Sequence, residues 1–248
     1  MNSIRPEQQR SDAVRMAMLS SIRPGKSAGT ATLSLAEQIA LELAEQIVAD
    51  RYPPGARIHE VAVSDQFDVS RGPVREALRI LERIGLIEIL PRRGAIVTSL
   101  SEAEVHNLFE IRAVLFGLAC SRVAARQPLD LLDQLSTQLE TLLPLATAED
   151  SASAQAYVLG VQEMGLSLCN QADSEYLAGI LRNLFYQTLR YSRLGLSSVA
   201  RRKESAQNWV RLLQALRERD TTEADAAART LVGDSSREAA RRLREEEQ

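Results

Sequence analysis

The chain has 248 residues, of which 45% are hydrophobic and 25% charged, so it can build a sizeable core and global disorder is not expected. Its formal net charge is -3, so the chain as a whole lacks the basic character that nucleic-acid-binding domains often have. No apolar run is long enough to span a membrane, and no N-terminal stretch has the pattern of a secretory signal, so we expect a cytoplasmic protein.

Residues 1–33 carry Arg, Ser, Gly, Pro and Gln without a sustained pattern, which predicts a flexible N-terminal tail. Only residues 13–20 favour a short helix. The tail has five Lys or Arg against two Asp or Glu, a net charge of +3. A basic arm can lie along phosphates, but a solvated tail without a partner explains this composition equally well.

A regular helical pattern follows the tail. Leu and Ile recur every four residues from position 35 to 47, which predicts an amphipathic helix, and the sequence Tyr52-Pro53-Pro54-Gly55 ends it and turns the chain. A second, short helix is predicted over residues 60–67. A third helix begins after Ser70, which we expect to be its N-cap, and ends before Gly85.

The only convincing β structure in the sequence follows the third helix. Two β-prone runs, at residues 86–90 and 95–98, flank a turn rich in Pro, Arg and Gly, which predicts a hairpin. Three helices and a hairpin, with about two residues between the second and third helices, are typical of a winged helix-turn-helix. We therefore predict a winged helix-turn-helix DNA-binding domain over residues 34–100.

The third predicted helix has an apolar face for the core and an arginine face opposite to it. The arginine face carries Arg71, Arg75 and Arg79, each four residues from the next. A major groove admits one α-helix, and an Arg at the start of that helix can bind a guanine edge through two hydrogen bonds. Ser70 and the N–H groups of the first turn can meet a phosphate. Alternatively, the arginines form a solvated face with Glu76 and Glu82.

The predicted hairpin turn carries two further arginines, Arg92 and Arg93, which can reach the DNA backbone or the minor groove. Gly94 permits the tight turn. Residues 34–100 nevertheless contain eight Arg against ten Asp or Glu, so the net charge of this domain does not support DNA binding. The prediction of DNA binding therefore depends on where the arginines lie.

Everything after Leu100 is predicted to be helical, beginning with a capping box at Ser101 and Glu104. The predicted helices span about residues 101–125, 130–146, 151–170, 174–196, 200–219 and 222–245. Their connections are short and polar, which suits an antiparallel bundle. Cys120 and Cys169 lie in apolar helical patterns and are expected to be reduced core thiols. The predicted fold is mainly α: an N-terminal winged helix-turn-helix, then an all-α antiparallel helical bundle over residues 101–248.

Two groups of motifs resemble known families. The first group is Pro53-Pro54-Gly55-x-x-Ile58, Val69-Ser70-Arg71-x-Pro73-Val74-Arg75-Glu76-Ala77-Leu78, Leu81-Glu82-x-x-Gly85-Leu86-Ile87 and Pro91-Arg92-Arg93-Gly94-Ala95-x-Val97. It covers about residues 34–100 and resembles the GntR family of bacterial regulators. The second group is Phe109-Glu110-Ile111-Arg112, Tyr176-Leu177 and Leu213-Gln214-Ala215-Leu216-x-x-Arg219-Asp220. It resembles the FCD-type C-terminal domain of the FadR-like subfamily.

The resemblance to GntR regulators implies a set of DNA contacts. Arg71 and Arg75 would be the principal base or backbone contacts, and the wing glycine would add a minor-groove contact. Ser70, Gly72 and Pro73 would shape the start of the helix. Gly72 departs from the Thr or Ser that is common at this position, which puts one polar contact with DNA in doubt. Such regulators dimerise through the C-terminal domain, bind a palindromic operator and are more often repressors that a small metabolite displaces.

The resemblance to FCD domains implies a metal site that this sequence does not match. Many FCD domains hold a metal with one Asp and three His, and the metal helps to bind a small carboxylate effector. The corresponding positions here are Val161, Gly165, Trp209 and about Leu231, none of which offers such a ligand. We therefore expect no metal centre and no cofactor.

An effector site without a metal would depend on other residues of the bundle. The candidate effector-binding residues are Arg112, Glu163, Gln187, Arg190 and Trp209, with Gln162 and Asn208 as further polar candidates. Each polar residue among them is better explained as a surface or helix–helix contact than as a ligand contact.

The sequence contains no Gly-rich phosphate loop, no nucleophile elbow and no metal-ligand spacing, so we expect no enzymatic activity. Two functions remain: a dimeric transcriptional regulator that responds to a small-molecule effector, and a winged-helix module that binds a protein without sequence-specific DNA recognition. Salt-dependent binding to duplex DNA distinguishes them, because counterion release makes DNA affinity fall steeply with salt.

Overall fold

The structure is a computed structural model, and it describes residues 33–91 and 93–246. The helix predicted over residues 13–20 and the predicted DNA contact Arg92 lie outside these ranges. The described residues divide between Leu100 and Ser101 into two compact units. Within the described ranges there are ten helices and three short strands.

The N-terminal unit begins with three helices: α1 (Leu35–Val48), α2 (Glu60–Phe67) and α3 (Arg71–Arg83). A capping box starts α1, in which the Ser34 hydroxyl accepts from the Glu37 N–H at 3.2 Å and the Glu37 carboxylate accepts from the Ser34 N–H at 2.7 Å. The buried face of α1, with Ile39, Leu43 and Ile47, packs on α3. These contacts form the core of the unit.

The C-terminal end of α3 confirms the predicted stop at Gly85. Gly85 has a φ of +78°, a conformation that costs glycine little. Its N–H donates to the Glu82 carbonyl at 2.9 Å, and the Leu86 N–H donates to the Leu81 carbonyl at 3.0 Å. This pair of bonds is a Schellman motif, which satisfies carbonyls that the helix leaves open.

A three-stranded antiparallel sheet completes the unit: β1 (Arg57–Ile58), β2 (Ile87–Leu90) and β3 (Gly94–Val97), in the order β1-β3-β2. The predicted hairpin is present as β2 and β3. Leu90 lies opposite Gly94 at its turn. The prediction that only the hairpin is β structure was wrong, because Ile58 pairs with Ala95 and adds an edge strand. Two residues are too few to show an alternating pattern in the sequence.

The C-terminal unit is entirely helical within the described residues. Its helices are α4 (Glu102–Arg126), α5 (Leu129–Thr147), α6 (Ser151–Asn170), α7 (Glu175–Gln187), α8 (Leu189–Gly195), α9 (Val199–Glu218) and α10 (Thr221–Glu246). The predicted capping box at the start of α4 is present. The most extensive packing joins α10 to α4. None of the described helices is long and apolar enough to cross a lipid bilayer.

The single helix predicted over residues 174–196 is two helices, α7 and α8, that join at Thr188. The Thr188 hydroxyl donates to the Leu184 carbonyl at 2.6 Å and accepts from the Arg112 guanidinium at 2.8 Å. A hydroxyl that bonds back to the preceding turn bends a helix. The break therefore coincides with a local bond of Thr188, and the contact of the same hydroxyl with Arg112 of α4 joins it to a distant helix.

Close backbone packing holds α8 against α10. A Cβ atom added at Gly195 would lie 2.5 Å from the Ser235 carbonyl oxygen, too close for any residue but glycine at this backbone position. Beside it, the buried Arg202 of α9 donates to the carbonyls of Ser197 at 3.1 Å and Ala148 at 2.6 Å. Arg202 thereby links the C-terminal ends of α8 and α5.

Candidate nucleic-acid interface and effector cavity

The start of α3 is an exposed surface. Ser70 occupies the N-cap position with an extended backbone (φ -70°, ψ 163°), but its hydroxyl accepts no capping hydrogen bond. The prediction that Ser70 is the N-cap of this helix is therefore confirmed, although the cap is made without a side-chain hydrogen bond. Gly72 is exposed with open space around it, and Pro73 is half-buried. Pro73 has no N–H, so the unengaged donors of this turn are those of Arg71 and Gly72.

The three predicted DNA-contacting arginines of α3 are all exposed: Arg71, Arg75 and Arg79. The Arg75 Nε atom lies 2.9 Å from a carboxylate oxygen of Glu60 at the start of α2, and Arg79 lies 3.7 Å from Glu76. Ion pairs of such exposed groups contribute about 0–1 kcal/mol, so a phosphate or a base can displace them. Glu82 is not part of this surface pairing, because its carboxylate accepts from the Ile89 N–H at 3.0 Å.

The wing presents a second exposed basic group. The Arg93 N–H donates to the Leu90 carbonyl at 3.1 Å, and its side chain is exposed. Gly94 has a φ of +78°, as the predicted tight turn requires. The wing and α3 belong to the same compact unit.

The helical unit contains a partly open cavity of about 40 Å³. A buried water needs roughly 10–15 Å³ in this measure, so the space holds about three waters. It is lined by residues of α4, α6, α7, α8, α9 and α10 and the α8 C-cap: Arg112, Phe116, Val161, Gln162, Phe185, Ser192, Leu196, Ser205, Trp209, Leu231, Val232 and Ser235. Two of the five candidate effector-binding residues, Arg112 and Trp209, are among them.

Arg112 is the charged group of this cavity, and it is only 7% exposed. Its Nη1 atom donates to the hydroxyls of Thr188 at 2.8 Å and Ser192 at 3.0 Å, while its Nε has no hydrogen-bond acceptor. The guanidinium carbon lies 3.8 Å from the centroid of the Phe185 ring. Burial lowers the pKa of Arg112 to about 10, so the group still carries its charge at neutral pH.

The other three candidate effector-binding residues do not line the cavity. Glu163 accepts from the Gln138 side chain at 2.9 Å, which ties α6 to α5. The Arg190 guanidinium carbon is 5.9 Å from the Tyr191 ring centroid. Gln187 is half-buried near the end of α7. Of the further polar candidates, Gln162 lines the cavity, whereas Asn208 donates to Asp234 at 3.0 Å.

Comparison with known proteins decides the family. Residues 35–97 match the bacterial regulatory proteins of the gntR family, and residues 107–234, more than half of the chain, match the FCD domain. The chain belongs to the GntR family of bacterial regulatory proteins and carries an FCD domain. The GntR match covers all of the helix α3 and wing residues described above, and the FCD match covers every cavity-lining residue except Ser235.

Three similar proteins illustrate the extent of the likeness. An uncharacterized HTH-type transcriptional regulator of Agrobacterium vitis is 40% identical over 73 residues, which are 29% of this chain and 43% of that protein. The gluconate operon transcriptional repressor of Bacillus subtilis is 29% identical over 176 residues, 71% of this chain and 70% of that one. The chain thus spans less than half the length of the Agrobacterium relative. Among solved structures, McbR/YncC of Escherichia coli shares the fold, with a TM-score of 0.72, 20% identity and coverage of 86% of this chain and 100% of that one.

The residues around the cavity do not fit the metal site of many FCD domains. Of the four corresponding positions, Val161, Trp209 and Leu231 line the cavity, and none offers a nitrogen or carboxylate ligand. At the fourth, a Cβ atom on Gly165 would lie 2.7 Å from the Phe185 ring. The described residues contain no group of three or more His, Cys, Asp or Glu that could hold a metal ion.

Sequence reasoning missed several residues of the cavity. Phe185 supports the Arg112 guanidinium, and Ser192, Ser205 and Ser235 supply hydroxyl groups to its wall. These residues come from four different helices. The only local signal is a pair of hydroxyl residues, Thr188 and Ser192, four positions apart and so on one side of the helical run.

Proposed function

We propose that the chain is a transcriptional repressor that binds a palindromic operator as a homodimer and releases it in response to a small-molecule effector. In this proposal residues 34–100 bind duplex DNA, and residues 101–248 bind the effector and dimerise. The protein would act in the cytoplasm, without enzymatic activity and without a cofactor.

The observation that carries the proposal is the exposed start of α3. Arg71 and Arg75 are exposed there, whereas Val74, Ala77 and Leu78 of the same helix are buried. The helix can therefore enter a major groove with its apolar face still packed in the domain. The unengaged Ser70 hydroxyl and first-turn N–H groups are then available to a phosphate.

The wing extends the proposed contact. With α3 in the major groove, Arg93 and Gly94 would lie at the adjacent minor groove or backbone, and Arg79 at the groove edge. Gly72 would let the start of α3 approach the DNA closely, but it has no side chain to contact the DNA. Backbone contacts of this kind position a protein, whereas Arg71 and Arg75 would carry the sequence preference.

The repressor part of the proposal is supported by the relatives. The gluconate operon protein of Bacillus subtilis is named a transcriptional repressor, and its similarity extends over both matched domains of this chain. A dimer would place two copies of α3 in successive major grooves, so we expect half-sites about one helical turn apart.

The effector part rests on the cavity in the FCD domain. An effector that binds one arrangement of the two DNA-binding units more tightly than another shifts the population towards that arrangement. Operator affinity then changes by the same free energy as effector affinity, because the coupling is reciprocal. A bound effector that left operator affinity unchanged would contradict this mechanism.

The test is selection of binding sites from random duplex DNA, followed by titration of the selected site at two salt concentrations. We expect a palindromic motif that a dimer binds far more tightly than unrelated DNA, with affinity that falls as salt rises. Failure to enrich a motif, with or without added metabolite extract, would contradict the proposal.

A protein-binding winged helix is the second candidate. It is favoured by the excess of acidic residues in residues 34–100 and by the engagement of Arg75 with Glu60. It predicts that binding to duplex DNA is weak at every sequence, and the same selection experiment therefore separates the two functions.

A further inference from the structure

We infer that Glu60 is a positioning residue for base recognition: its carboxylate holds one edge of the Arg75 guanidinium, so that the outer end of the same group can bind a guanine of the operator. The inference rests on the proposed function, because it assigns part of the sequence preference of helix α3 to a residue of helix α2.

The first step is the geometry of the contact between the two side chains. The Arg75 Nε–H donates to a carboxylate oxygen of Glu60 at 2.9 Å. A guanidinium is planar and has five N–H donors, one on Nε and four on the two Nη atoms. Because this bond uses Nε, the outer end of the group keeps the two Nη donors that fit O6 and N7 of guanine. Guanine binding therefore does not require the ion pair to break.

The second step is the rigidity of the two helices that carry the pair. Glu60 is the first residue of α2, where the helix dipole favours a carboxylate. Helix α2 packs on α3, and Val63 of α2 and Val74 of α3 are fully buried. Glu60 and Arg75 are thus attached to packed helices. A carboxylate fixed in this way restricts the rotation of the arginine side chain before DNA binds, and a free arginine would lose that rotational freedom on binding.

The third step is the exposure of the pair. The Arg75 side chain is 61% exposed, whereas that of Glu60 is 35% exposed. A DNA groove can therefore reach the guanidinium while the less exposed carboxylate keeps its hydrogen bond. A carboxylate so near the phosphates weakens binding to DNA of any sequence. Glu60 would therefore lower non-specific affinity and raise sequence discrimination.

Glu76 offers a matched comparison on the same surface. It lies 3.7 Å from Arg79 within helix α3, which is too far for a hydrogen bond, and both side chains are more than half exposed. This second pair lacks both the direct bond and the support of another helix. Removal of either carboxylate takes one negative charge from the proposed DNA-binding surface, but only removal of Glu60 releases a hydrogen-bonded guanidinium.

The experiment measures base discrimination rather than overall affinity. The full chain and its variants Glu60→Ala, Glu60→Gln, Glu76→Ala and Arg75→Ala are titrated with the selected operator, with each of its single-base-pair variants and with unrelated DNA. Circular dichroism melting checks that every variant folds. The base pair at which Arg75→Ala loses discrimination is the one that Arg75 reads, and a bidentate contact with guanine gives roughly 5- to 150-fold discrimination there.

We expect Glu60→Ala to lose roughly two- to twelvefold of the discrimination at that base pair and none at the others, because a flexible arginine must then be immobilised on binding. Glu60→Gln keeps an amide oxygen that can accept from Nε, so it should keep most of the discrimination. Glu76→Ala should keep all of it. Both alanine variants of the acids should bind unrelated DNA more tightly than the natural chain, since each removes a negative charge near the phosphates.

The double variant Glu60→Ala, Arg75→Ala separates positioning from a structural role. If Glu60 acts through Arg75, its replacement should cause no further loss of discrimination once Arg75 is absent. A purely structural role would weaken binding to every sequence alike, and that loss would persist in the Arg75→Ala background.

Three outcomes would overturn the inference: Glu60→Ala keeps full discrimination at the base pair that Arg75 reads, its loss of discrimination persists in the Arg75→Ala background, or Arg75→Ala loses discrimination at no base pair. Each of them can occur with an operator that the natural chain binds tightly, and the proposed function would then stand. Failure to select any operator would instead overturn the proposed function, and this inference with it.

Discussion

The proposed DNA contact depends on single arginines at the start of α3. Arg71→Ala and Arg75→Ala should each weaken binding to the selected operator by roughly 1–3 kcal/mol if they contact bases. Arg83→Ala is a matched control in the same helix, twelve residues from Arg71 and therefore roughly 18 Å further along the axis. Competition titration measures all three. Wild-type affinity in both Arg71→Ala and Arg75→Ala would rule out α3 as the recognition helix.

The two cysteines, considered as single residues, are expected to be unreactive towards thiol reagents in the folded protein. Both are fully buried, and burial raises the pKa of the Cys169 thiol to about 12 and raises that of Cys120 as well. Because the thiolate is the reactive form and a raised pKa keeps the thiol protonated below it, reaction with a disulfide reagent should be slow until the chain unfolds. Rapid loss of either thiol in native buffer would contradict this burial.

The exposed surface of the proposed DNA contact was predictable from the sequence because its signals are local. The four-residue spacing of Arg71, Arg75 and Arg79 gives one helix face, and Gly94 marks the wing turn. The Ser70 hydroxyl was not predictable, since whether it caps the helix depends on a side-chain rotation that the sequence leaves open. The partner of Arg75 was missed because Glu60 comes from the preceding helix.

At the scale of whole elements, the packing of α8 on α10 is tested by comparing alanine substitutions at two glycines. Gly195→Ala places a methyl group 2.5 Å from the Ser235 carbonyl oxygen, so we expect a loss of about 1–3 kcal/mol in the free energy of unfolding. Gly179→Ala, in α7, meets its nearest atom at 3.9 Å and should stabilise the helix by about 0.5–1 kcal/mol. Urea denaturation measures both. Equal stability of the two variants would contradict the close approach.

The helix ends that the sequence predicts well are those with a capping or stop signal. The capping box at Ser101 and Glu104 marks the start of α4, and Gly85 marks the end of α3. The break at Thr188 was missed because a Thr hydroxyl that bonds back to the preceding turn has no distinct sequence signal, and its contact with Arg112, seventy-six positions away in the chain, has none either. The edge strand at Ile58 was missed because its pairing with Ala95 is also a contact between distant positions.

At the scale of the whole molecule, the cavity shows what a sequence leaves undetermined. Arg112 and Trp209 could be named as candidates from their chemistry, but their enclosure by Phe185 and three serines requires helices α4 to α10 to pack as they do. Glu163 and Arg190 were equally plausible by residue type. Their places outside the cavity follow from the rotation of α6 and α8, which hydrophobic periodicity fixes only to within a broad face.

Dimeric binding to a palindromic operator is tested by the spacing of its half-sites. Because DNA completes a turn in about 10–10.5 base pairs, inserting half a turn between the half-sites turns them to opposite faces of the duplex. A dimer then engages only one half-site, and we expect the affinity to fall towards that of an isolated half-site. Insertion of a full turn places the two half-sites on the same face of the duplex again. The affinity should then recover in part if the two DNA-binding units of the dimer can span the longer distance. Equal affinity for all three spacings would mean that each copy binds independently, and the homodimer would have no role in recognition.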